Sequence, residues 1–419
     1  MKDLSVRGTR DLYPELYARV GHIFDTWRRT ALSYGFEEFE SPILETLELY
    51  TLKSGDEIVS QLYNFPDKGG RMLALRPELT PSLARMVARI HSETPKPIKW
   101  FSIPRCMRYE KPQKGRLREF FQFNVDVIGE NAPIADLEII SVAVDSLINL
   151  GLTERDFVVK VNNRDFVSSY FSSLGLDEAS EKLLYKIIDN ARKQRREETE
   201  EALQKIGFDS TMKRGIDGYL ALKNSDDLEQ LKDGGSGRES LLELFKLVGA
   251  AGLKAYVQFD PTIVRGLDYY TGIVFEIFDR SERMRAICGG GRYNNLIREF
   301  SGIEIPACGF GMGDVVLSEI LQSKGLFPEY SRNIDYYLVR VSESELPPLL
   351  GVARHLRGQG MTVEFSYNSV PLKKQMARAS KLGARKALII GEQELAGGEL
   401  VEKDLSTGDE RKVPIPGKD

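Results

Sequence analysis

The sequence predicts an α+β protein of two or three domains, in which a sheet-based domain precedes a small α/β domain. Its 419 residues exceed what a single hydrophobic core usually organises. Short apolar and β-branched runs typical of strands alternate with helical periodicity between residues 36 and 313. Strand and helix patterns then alternate as βαβαβ between residues 334 and 391, which is typical of a separate α/β unit.

The composition excludes several classes of protein. The chain is 42% hydrophobic and 29% charged with a net charge of −4, as expected for a folded protein whose overall charge does not attract polyanions. Its three cysteines and three histidines are scattered, so neither a disulfide framework nor a metal site is predicted. We find no signal peptide and no apolar stretch of about 18 residues. We therefore expect a cytoplasmic protein that does not associate with membranes.

The first elements are a long helix and a strand that leads into a second helix. Apolar residues spaced three and four apart predict a helix over 14–34, followed by a short strand near 36–39. The run "RMLALRPELTPSLARMVARI" (71–90) begins as a strand and continues as a helix. Thr80 is the predicted N-cap of that helix, because a proline follows it at the first helical position.

A hairpin and two glycine-rich strands form the middle of the predicted sheet. Residues 99–129 read as two strands around the basic loop "EKPQKGRLR" (110–118). The strings "CGGGRY" (288–293) and "GFGMG" (309–313) lack the context of a dinucleotide-binding motif. We interpret their glycines as sites of close backbone approach or of sharp turns in the sheet, with phosphate binding as the alternative.

The region 166–255 differs from its surroundings, because it is rich in charge and in helical periodicity. We interpret it as a helical insertion whose charged residues form solvated helix faces. Direct contact of its arginines with RNA is the alternative.

Arginine, acidic and tyrosine side chains cluster at the strand ends of the predicted sheet. The clusters are Arg76–Glu78–Thr80, Arg108–Glu110, Arg116–Arg118–Gln122–Asp126, Arg265–Tyr269–Tyr270 and Arg292–Tyr293. Burying so many guanidinium groups costs several kcal/mol per ion unless they face one another or a charged ligand. A triphosphate held between arginines explains the pattern best. The chain has no P-loop motif, so a P-loop site is excluded.

Several of these strings occur together in the order of one known family. They are "RGTRDLYPE" (7–15), "LRPELT" (75–80), "MRYEKPQKGRLREFFQ" (107–122), "RGLDYYTGIVFE" (265–276), "GGGRYN" (289–294) and "LKKQMARASKLGARKALIIGEQEL" (372–395). With them the chain resembles the histidyl-tRNA synthetases, which are class II aminoacyl-tRNA synthetases. "RGLDYYTG" is the most specific string, since class II enzymes in general share the arginine-rich hairpin.

The resemblance implies a fold and a reaction. The fold is an α+β catalytic domain (1–325) on an antiparallel six-stranded class II synthetase sheet, a helical insertion (166–255), and a C-terminal α/β (βαβαβ) anticodon-binding domain (332–419). The reaction is that of a histidine–tRNA ligase, which activates L-histidine with ATP to histidyl-adenylate and transfers it to the 3′ end of tRNA(His). Mg²⁺ is expected to accompany ATP, and a homodimer is expected.

The resemblance also implies roles for individual residues. Arg108 and Arg265 are expected to be catalytic and to clamp the histidine carboxylate and the α-phosphate from opposite sides. The expected histidine-binding residues are Glu78, Thr80, Gln122, Asp126, Tyr269, Tyr270 and Tyr293. The expected ATP-binding residues are Arg108, Glu110, Arg116 and Phe120. Gln113 and Lys114 of the hairpin loop are expected to contact tRNA.

One position departs from the family pattern. The third class II motif usually ends in a glutamate-arginine pair, whereas Val315 and Val316 stand there in this chain. The arginine that would pack on adenine is therefore absent. We expect Arg116, Arg118 or another basic group to compensate.

Two rival interpretations remain open from the sequence. One is a synthetase-like regulatory subunit that binds histidine without charging tRNA, and the missing motif 3 arginine is its support. The retained Arg108 and Arg265 and the presence of residues 334–419 argue against it. The other is an RNA-binding or sensor module with a vestigial pocket, which predicts RNA affinity that histidine and ATP leave unchanged.

Overall fold

The structure is a computed structural model that describes residues 4–51, 61–191, 210–231, 234–264, 270–281 and 284–417. The chain divides into two compact units, Met1–Phe327 and Pro328–Asp419. The domain limits expected from the resemblance stay predictions. Part of the charged stretch of the predicted insertion, 192–209, lies outside the described residues. None of the described helices is long and apolar enough to cross a membrane.

The first unit contains the following elements. Its strands are β1 (Glu37–Glu38), β2 (Leu44–Thr46), β3 (Tyr63–Pro66), β4 (Met72–Leu75), β5 (Ile98–Ser102), β6 (Arg105–Met107), β7 (Glu119–Ile128), β8 (Phe157–Asn163), β9 (Val257–Phe259), β10 (Ile273–Asp279), β11 (Cys288–Arg292) and β12 (Ala307–Gly313). Its helices are α1 (Pro14–Ser33), α2 (Leu47–Thr51), α3 (Thr80–Ile90), α4 (Pro133–Asn149), α5 (Arg164–Ser173), α6 (Glu178–Ala191), α7 (Ser210–Leu220), α8 (Ser225–Gln230), α9 (Gly235–Ala250), α10 (Arg298–Ser301) and α11 (Asp314–Lys324).

The main sheet places six antiparallel strands side by side, in the order β5, β7, β12, β11, β10 and β8. The predicted antiparallel six-stranded sheet is therefore confirmed. Strands β1 and β9 extend it at the two ends by parallel pairing, which the sequence did not predict. Strands β5 and β6 both pair with the long β7, so the predicted hairpin is confirmed. Strands β2, β4 and β3 form a small separate sheet.

The main hydrophobic core covers one face of the main sheet, and the other face carries polar side chains beside smaller apolar clusters. Along β7, Phe123, Val125 and Val127 belong to the main hydrophobic core, and the residues between them point to the opposite face because side chains alternate along a strand. Helix α1 packs on the apolar face, where Trp27 stacks on Phe123 with ring centroids 5.2 Å apart. The opposite face holds the polar side chains of β7, whereas Val158, Val274 and Phe278 form a small apolar cluster on its β8 and β10.

Helices α5 to α9 lie between β8 and β9 in the chain and share the main core. Phe166 of α5, Tyr219 of α7 and Leu244 of α9 are fully buried in it. Tyr219 contacts both Phe166 and Phe171 through its ring. The described helices of the predicted insertion thus share one hydrophobic core with the main sheet, and the burial of apolar side chains holds them together.

The second unit has a five-stranded sheet with helices. Its strands are β13 (Tyr336–Arg340), β14 (Val363–Phe365), β15 (Lys386–Ile390), β16 (Glu399–Asp404) and β17 (Glu410–Pro414), and its helices are α12 (Leu346–Gly358), α13 (Leu372–Lys381) and α14 (Glu392–Gly397). Strands β14, β13 and β15 are parallel neighbours, which confirms the predicted βαβαβ unit. Strands β16 and β17 extend the sheet by antiparallel pairing.

Candidate active site

A polar pocket is formed on the face of the main sheet opposite the main core by residues of β7, β11, β12 and the start of α3. Its lining residues are Glu78, Thr80, Arg108, Gln122, Asn124, Asp126, Tyr270, Gly289, Tyr293, Gly309, Phe310 and Gly311. Seven of these are residues that the resemblance assigns to histidine or to catalysis, namely Glu78, Thr80, Arg108, Gln122, Asp126, Tyr270 and Tyr293. The fold therefore brings together side chains that are far apart in the sequence.

Asp126 is the buried acid of the pocket. Asp126 is 2% exposed, and the hydroxyl of Tyr293 donates a hydrogen bond to its Oδ1 at 2.5 Å. Oδ2 is buried and has no hydrogen-bond partner among the described residues. Burial raises the pKa of Asp126 to about 7, although the hydrogen bond from Tyr293 lowers it. The free oxygen can accept a hydrogen bond from an N–H group of a ligand.

Two glycines of β12 make room for the side chains of β7. Gly309 lies opposite Asp126 in the ladder, and a Cβ atom built at Gly309 would overlap that carboxylate. A Cβ atom built at Gly311 would overlap the amide of Gln122. The interpretation of these glycines as sites of close approach is confirmed.

Glu78 and Thr80 reach the pocket from the entry of α3. Both are buried, at 3% and 8% exposure. The prediction that Thr80 caps this helix is wrong, because the helix begins at Thr80 itself and Leu79 before it already has helical dihedrals of −94° and −30°. A side-chain cap needs an extended residue at the entry. The Thr80 side chain instead lines the pocket.

Arg108 lies where the hairpin meets the pocket. Its guanidinium carbon is 5.2 Å from the ring centroid of Phe120 on the facing strand, and its Nε donates to the carbonyl oxygen of Pro77 at 2.9 Å. The hairpin is thereby tied to the segment before Glu78. Arg108 lines the pocket, where an anion would meet the charge of a guanidinium group.

The hairpin loop holds the other residues expected to bind ATP. Arg116 forms an ion pair with Glu110, and Arg118 donates through Nε to the carbonyl oxygen of Glu110 at 3.0 Å. Gln113 and Arg116 form an isolated β-bridge that narrows the loop. Gln113 and Lys114 are exposed. The loop therefore presents two polar side chains to solvent and an acid-base pair beside the pocket.

Two arginines of the predicted clusters have structural contacts. Arg76 is 3% exposed and donates to Glu40, Ser41 and the carbonyl oxygen of Arg105. Arg292 is 5% exposed and pairs with Asp136 at the start of α4. Both guanidinium groups pair with carboxylates of the protein, and neither arginine is among the residues that line the pocket.

Sequence reasoning missed one polar residue of the pocket, and two of its predicted site residues lie outside the part of the chain that the structure describes. Asn124 lines the pocket and is 4% exposed. It lies between Gln122 and Asp126 on the polar face of β7, so the period of two along that strand could have identified it. Arg265 and Tyr269 lie outside the described residues, and their roles stay predictions.

The second unit presents basic side chains on α13. Lys373, Lys374, Arg378 and Lys381 are exposed along that helix. Arg385 contacts Asp335 at 3.3 Å. The four side chains of α13 form an exposed positive helix face.

Comparisons with known proteins agree with this arrangement. A family model described as histidyl-tRNA synthetase matches residues 8–314, and one described as an anticodon binding domain matches residues 337–416. The histidine–tRNA ligase of Opitutus terrae is 41% identical over 417 residues, which cover 98% of this chain and 95% of the relative.

Solved structures with the same fold include synthetases and a related protein. The crystal structure of histidyl-tRNA synthetase from Nostoc sp. PCC 7120 has a TM-score of 0.83 at 26% identity and covers 99% of this chain and 97% of its own. A Bacillus halodurans structure titled as an ATP phosphoribosyltransferase regulatory subunit/histidyl-tRNA synthetase has a TM-score of 0.78 at 24% identity, and it covers 92% of this chain and 98% of its own. The second likeness shows the fold alone. From the family model over residues 8–314 and the relative that is 41% identical, we conclude that the chain belongs to the histidyl-tRNA synthetase family.

Proposed function

We propose that the pocket of the main sheet is the site at which this histidine–tRNA ligase joins L-histidine to ATP and then charges tRNA(His). The observation that carries the proposal is the buried Asp126, whose Oδ2 has no partner among the described residues. An imidazole ring offers a donor on one nitrogen and an acceptor on the other. The pocket supplies both kinds of partner.

The histidine side chain would bind on the polar face of β7. Asp126 would accept the imidazole N–H, while Gln122 and the tyrosines Tyr269, Tyr270 and Tyr293 would complete the polar wall. Glu78 and Thr80 would receive the α-amino group, because an ammonium ion needs acceptors and carboxyl and hydroxyl oxygens supply them. A site that hydrogen-bonds its substrate rejects analogues that lack those groups by about 10⁴–10⁵.

Adenylate formation requires the two negative reactants to approach each other. The histidine carboxylate attacks the α-phosphorus, a P–O bond forms, and the bond to the pyrophosphate oxygen breaks. Arg108 and Arg265 would neutralise the charge that accumulates on the phosphoryl oxygens, and loss of one such donor typically costs about 10²–10³ in rate. Arg108 borders the pocket, as this role requires.

ATP would lie along the hairpin beside Arg108. Phe120 would stack on adenine, Glu110 would read it, and Arg116 would contact the γ-phosphate. No group of three or more His, Cys, Asp or Glu side chains suited to a metal occurs in the described part of the chain. Mg²⁺ would therefore arrive bound to the phosphates and use few protein ligands, as it usually does in nucleotide sites.

The tRNA would contact both units. Gln113 and Lys114 are exposed on the hairpin loop and could meet the acceptor end beside the pocket. The basic face of α13 in the second unit suits the anticodon loop. We also propose a homodimer and a cytoplasmic location, which rest on the family resemblance.

The decisive experiment is ATP–pyrophosphate exchange measured with each of the twenty amino acids. We expect exchange that depends on histidine and then transfer of histidine to tRNA(His). Exchange without tRNA charging would contradict the ligase. Histidine binding without any exchange would instead favour the regulatory-subunit interpretation, whose support is the valine at position 316.

Arg116 tests the proposed replacement of the motif 3 arginine. Arg116→Ala should abolish pyrophosphate exchange, because the γ-phosphate would then lose its proposed cation. Arg105→Ala is the matched control, since Arg105 is half-exposed and pairs with Glu119. Near-normal exchange in Arg116→Ala would contradict this assignment.

A further inference from the structure

The start of α11 lies directly against the hairpin loop that carries the proposed ATP-binding residues. The side chain of Val316 is in contact with Gly115 at the loop tip, where a Cβ atom built on the glycine would lie 3.1 Å from Cγ2 of the valine. Gly115 has a φ of +72°, a conformation that favours glycine. The valine at the motif 3 position thus packs on the loop.

One turn further along α11, Glu319 contacts the same glycine. Its Oε1 accepts a hydrogen bond from the backbone N–H of Gly115 at 2.9 Å. The two residues are 204 positions apart in the sequence, so this bond joins elements that local structure does not hold together. Arg116, which follows Gly115, is the residue expected to contact the γ-phosphate.

A second carboxylate of α11 fixes the return strand of the hairpin. Asp314 is fully buried, and its Oδ1 accepts from the backbone N–H of Phe121 at 2.8 Å. Its Oδ2 accepts from Arg10 at 2.5 Å. Phe121 is adjacent to Phe120, so α11 holds the hairpin at the loop tip and beside the proposed adenine-stacking residue.

We propose that Glu319 is a positioning residue for ATP, which holds the hairpin loop in its binding geometry from α11. This inference rests on the proposed ATP site. A loop held in place before the nucleotide arrives loses less conformational entropy on binding. This chain lacks the motif 3 arginine, which would contact ATP directly. The ordered hairpin loop recovers part of the ATP affinity that is lost with that contact. Glu319 holds the loop as a hydrogen-bond acceptor and not as a member of an ion pair. Its Oε1 accepts from Gly115, and its Oε2 has no partner among the described residues.

The test compares variants of α11 by the KM values for ATP and for histidine in pyrophosphate exchange. Glu319→Leu should raise the KM for ATP about tenfold, as expected when a hydrogen bond to a charged group is lost, and leave the KM for histidine unchanged. Glu319→Gln keeps an acceptor and should stay within about twofold of the parent. Glu319→Ala is a second variant with the expectation of Glu319→Leu, in case the leucine prevents folding.

Gln322→Leu is the matched control. Gln322 lies on the same helix and accepts a hydrogen bond from Arg19 of α1, away from the hairpin, so both KM values should stay at the parental level. Equal KM values for ATP in Glu319→Leu and Gln322→Leu would overturn the proposal. So would a Glu319→Gln variant as weak as Glu319→Leu, or a parallel rise of both KM values.

Calorimetric titration with ATP alone separates this proposal from the proposed function. If the parent protein binds ATP but shows no histidine-dependent exchange, the proposed reaction fails while the effect of Glu319 on ATP affinity remains measurable. Equal ATP affinity of the parent and Glu319→Leu would overturn the positioning role by itself.

Discussion

At the scale of single residues, the polar side chains of β7 find room because the facing residues of β12 are glycines, which have no side chains. Gln122, Asn124 and Asp126 follow each other at every second position, and their partners on β12 include Gly309 and Gly311. The family strings identify most of these residues from the sequence. Their proximity depends on strand register, which pairs residues about 180 positions apart and has no local signal.

A methyl group at Gly309 should abolish histidine activation. The added Cβ atom would overlap the Asp126 carboxylate and lie 2.8 Å from the carbonyl oxygen of Val125, and a backbone atom cannot move aside. Gly309→Ala should therefore lower kcat/KM for histidine by at least about 10²-fold, as a misplacement of about 1 Å can.

Gly313→Ala is the control for this prediction. Gly313 lies on the same strand, and a Cβ atom built there has no neighbour within 4 Å. Activity of Gly309→Ala equal to that of Gly313→Ala, measured by pyrophosphate exchange, would contradict the close packing of β7 and β12.

Because of Asp126, the free energy of unfolding of the ligand-free protein should fall as the pH rises. The pKa of Asp126 is raised to about 7, whereas an aspartate in the unfolded chain has a pKa near 3.9. Between about pH 4 and 7 the native state therefore holds a proton that the unfolded state has lost, so the free energy of unfolding falls across this window.

Asp126→Asn should remove this dependence. The variant should match the parent near pH 4 and exceed its free energy of unfolding above pH 7, by on the order of 4 kcal/mol. Urea denaturation followed by tryptophan fluorescence measures the first unit, because Trp27 and Trp100 both lie there. Parallel pH curves for the two proteins would contradict the raised pKa.

At the scale of elements, the helices between β8 and β9 are tied to the sheet by a small buried network. The hydroxyl of Tyr219 on α7 donates to the carbonyl oxygen of Pro261 at 2.9 Å and accepts from Asn162 of β8 at 2.8 Å. The turn at Pro261 leads towards Arg265 in the sequence. Charge and periodicity predicted helices here, but a tyrosine in a charged region does not reveal that it is buried.

Loss of this hydroxyl should loosen the contact between α7 and the turn. Tyr219→Phe keeps the buried ring and removes the bonds to Asn162 and Pro261, so it should cost about 1–2 kcal/mol in the free energy of unfolding. Tyr170→Phe is the control, because the hydroxyl of Tyr170 is partly buried and donates to Gly215 at 3.1 Å within the helices. It should cost less than Tyr219→Phe in the same urea experiment. A smaller effect of Tyr219→Phe would contradict the network.

At the scale of the whole molecule, the sequence predicted an antiparallel sheet in the first unit and a βαβαβ sheet in the second, because the hydrophobic patterns of their strands differ. The main sheet yields short strands in which polar residues interrupt the apolar ones, whereas β13 and β15 are buried and read as continuous apolar runs. Strand β1 lies within the strand predicted near 36–39, but the parallel pairing of β1 and β9 at the ends of the sheet was not predicted, since strands of two and three residues carry little pattern. The roles that the motif strings assign to individual residues stay predictions.

Separation of the two units should separate the two steps of the reaction. Residues 1–327 contain the pocket and the main core, so this fragment should keep histidine-dependent pyrophosphate exchange. It should charge tRNA(His) at least about 10²-fold less efficiently, because the exposed basic face of α13 is removed. Charging of tRNA at the parental kcat/KM by the fragment would contradict a role of the second unit in RNA binding.

The glycines of β11 and β12 also limit how this site can diversify. Gly289, Gly309 and Gly311 expose only main chain to the ligand, so a mutation on these strands can add bulk but cannot exchange one recognising group for another. The side chains that can be exchanged lie on β7, at the entry of α3, and at Tyr270 and Tyr293. Directed evolution of a new substrate preference would therefore gain most from libraries that vary those positions and keep the three glycines.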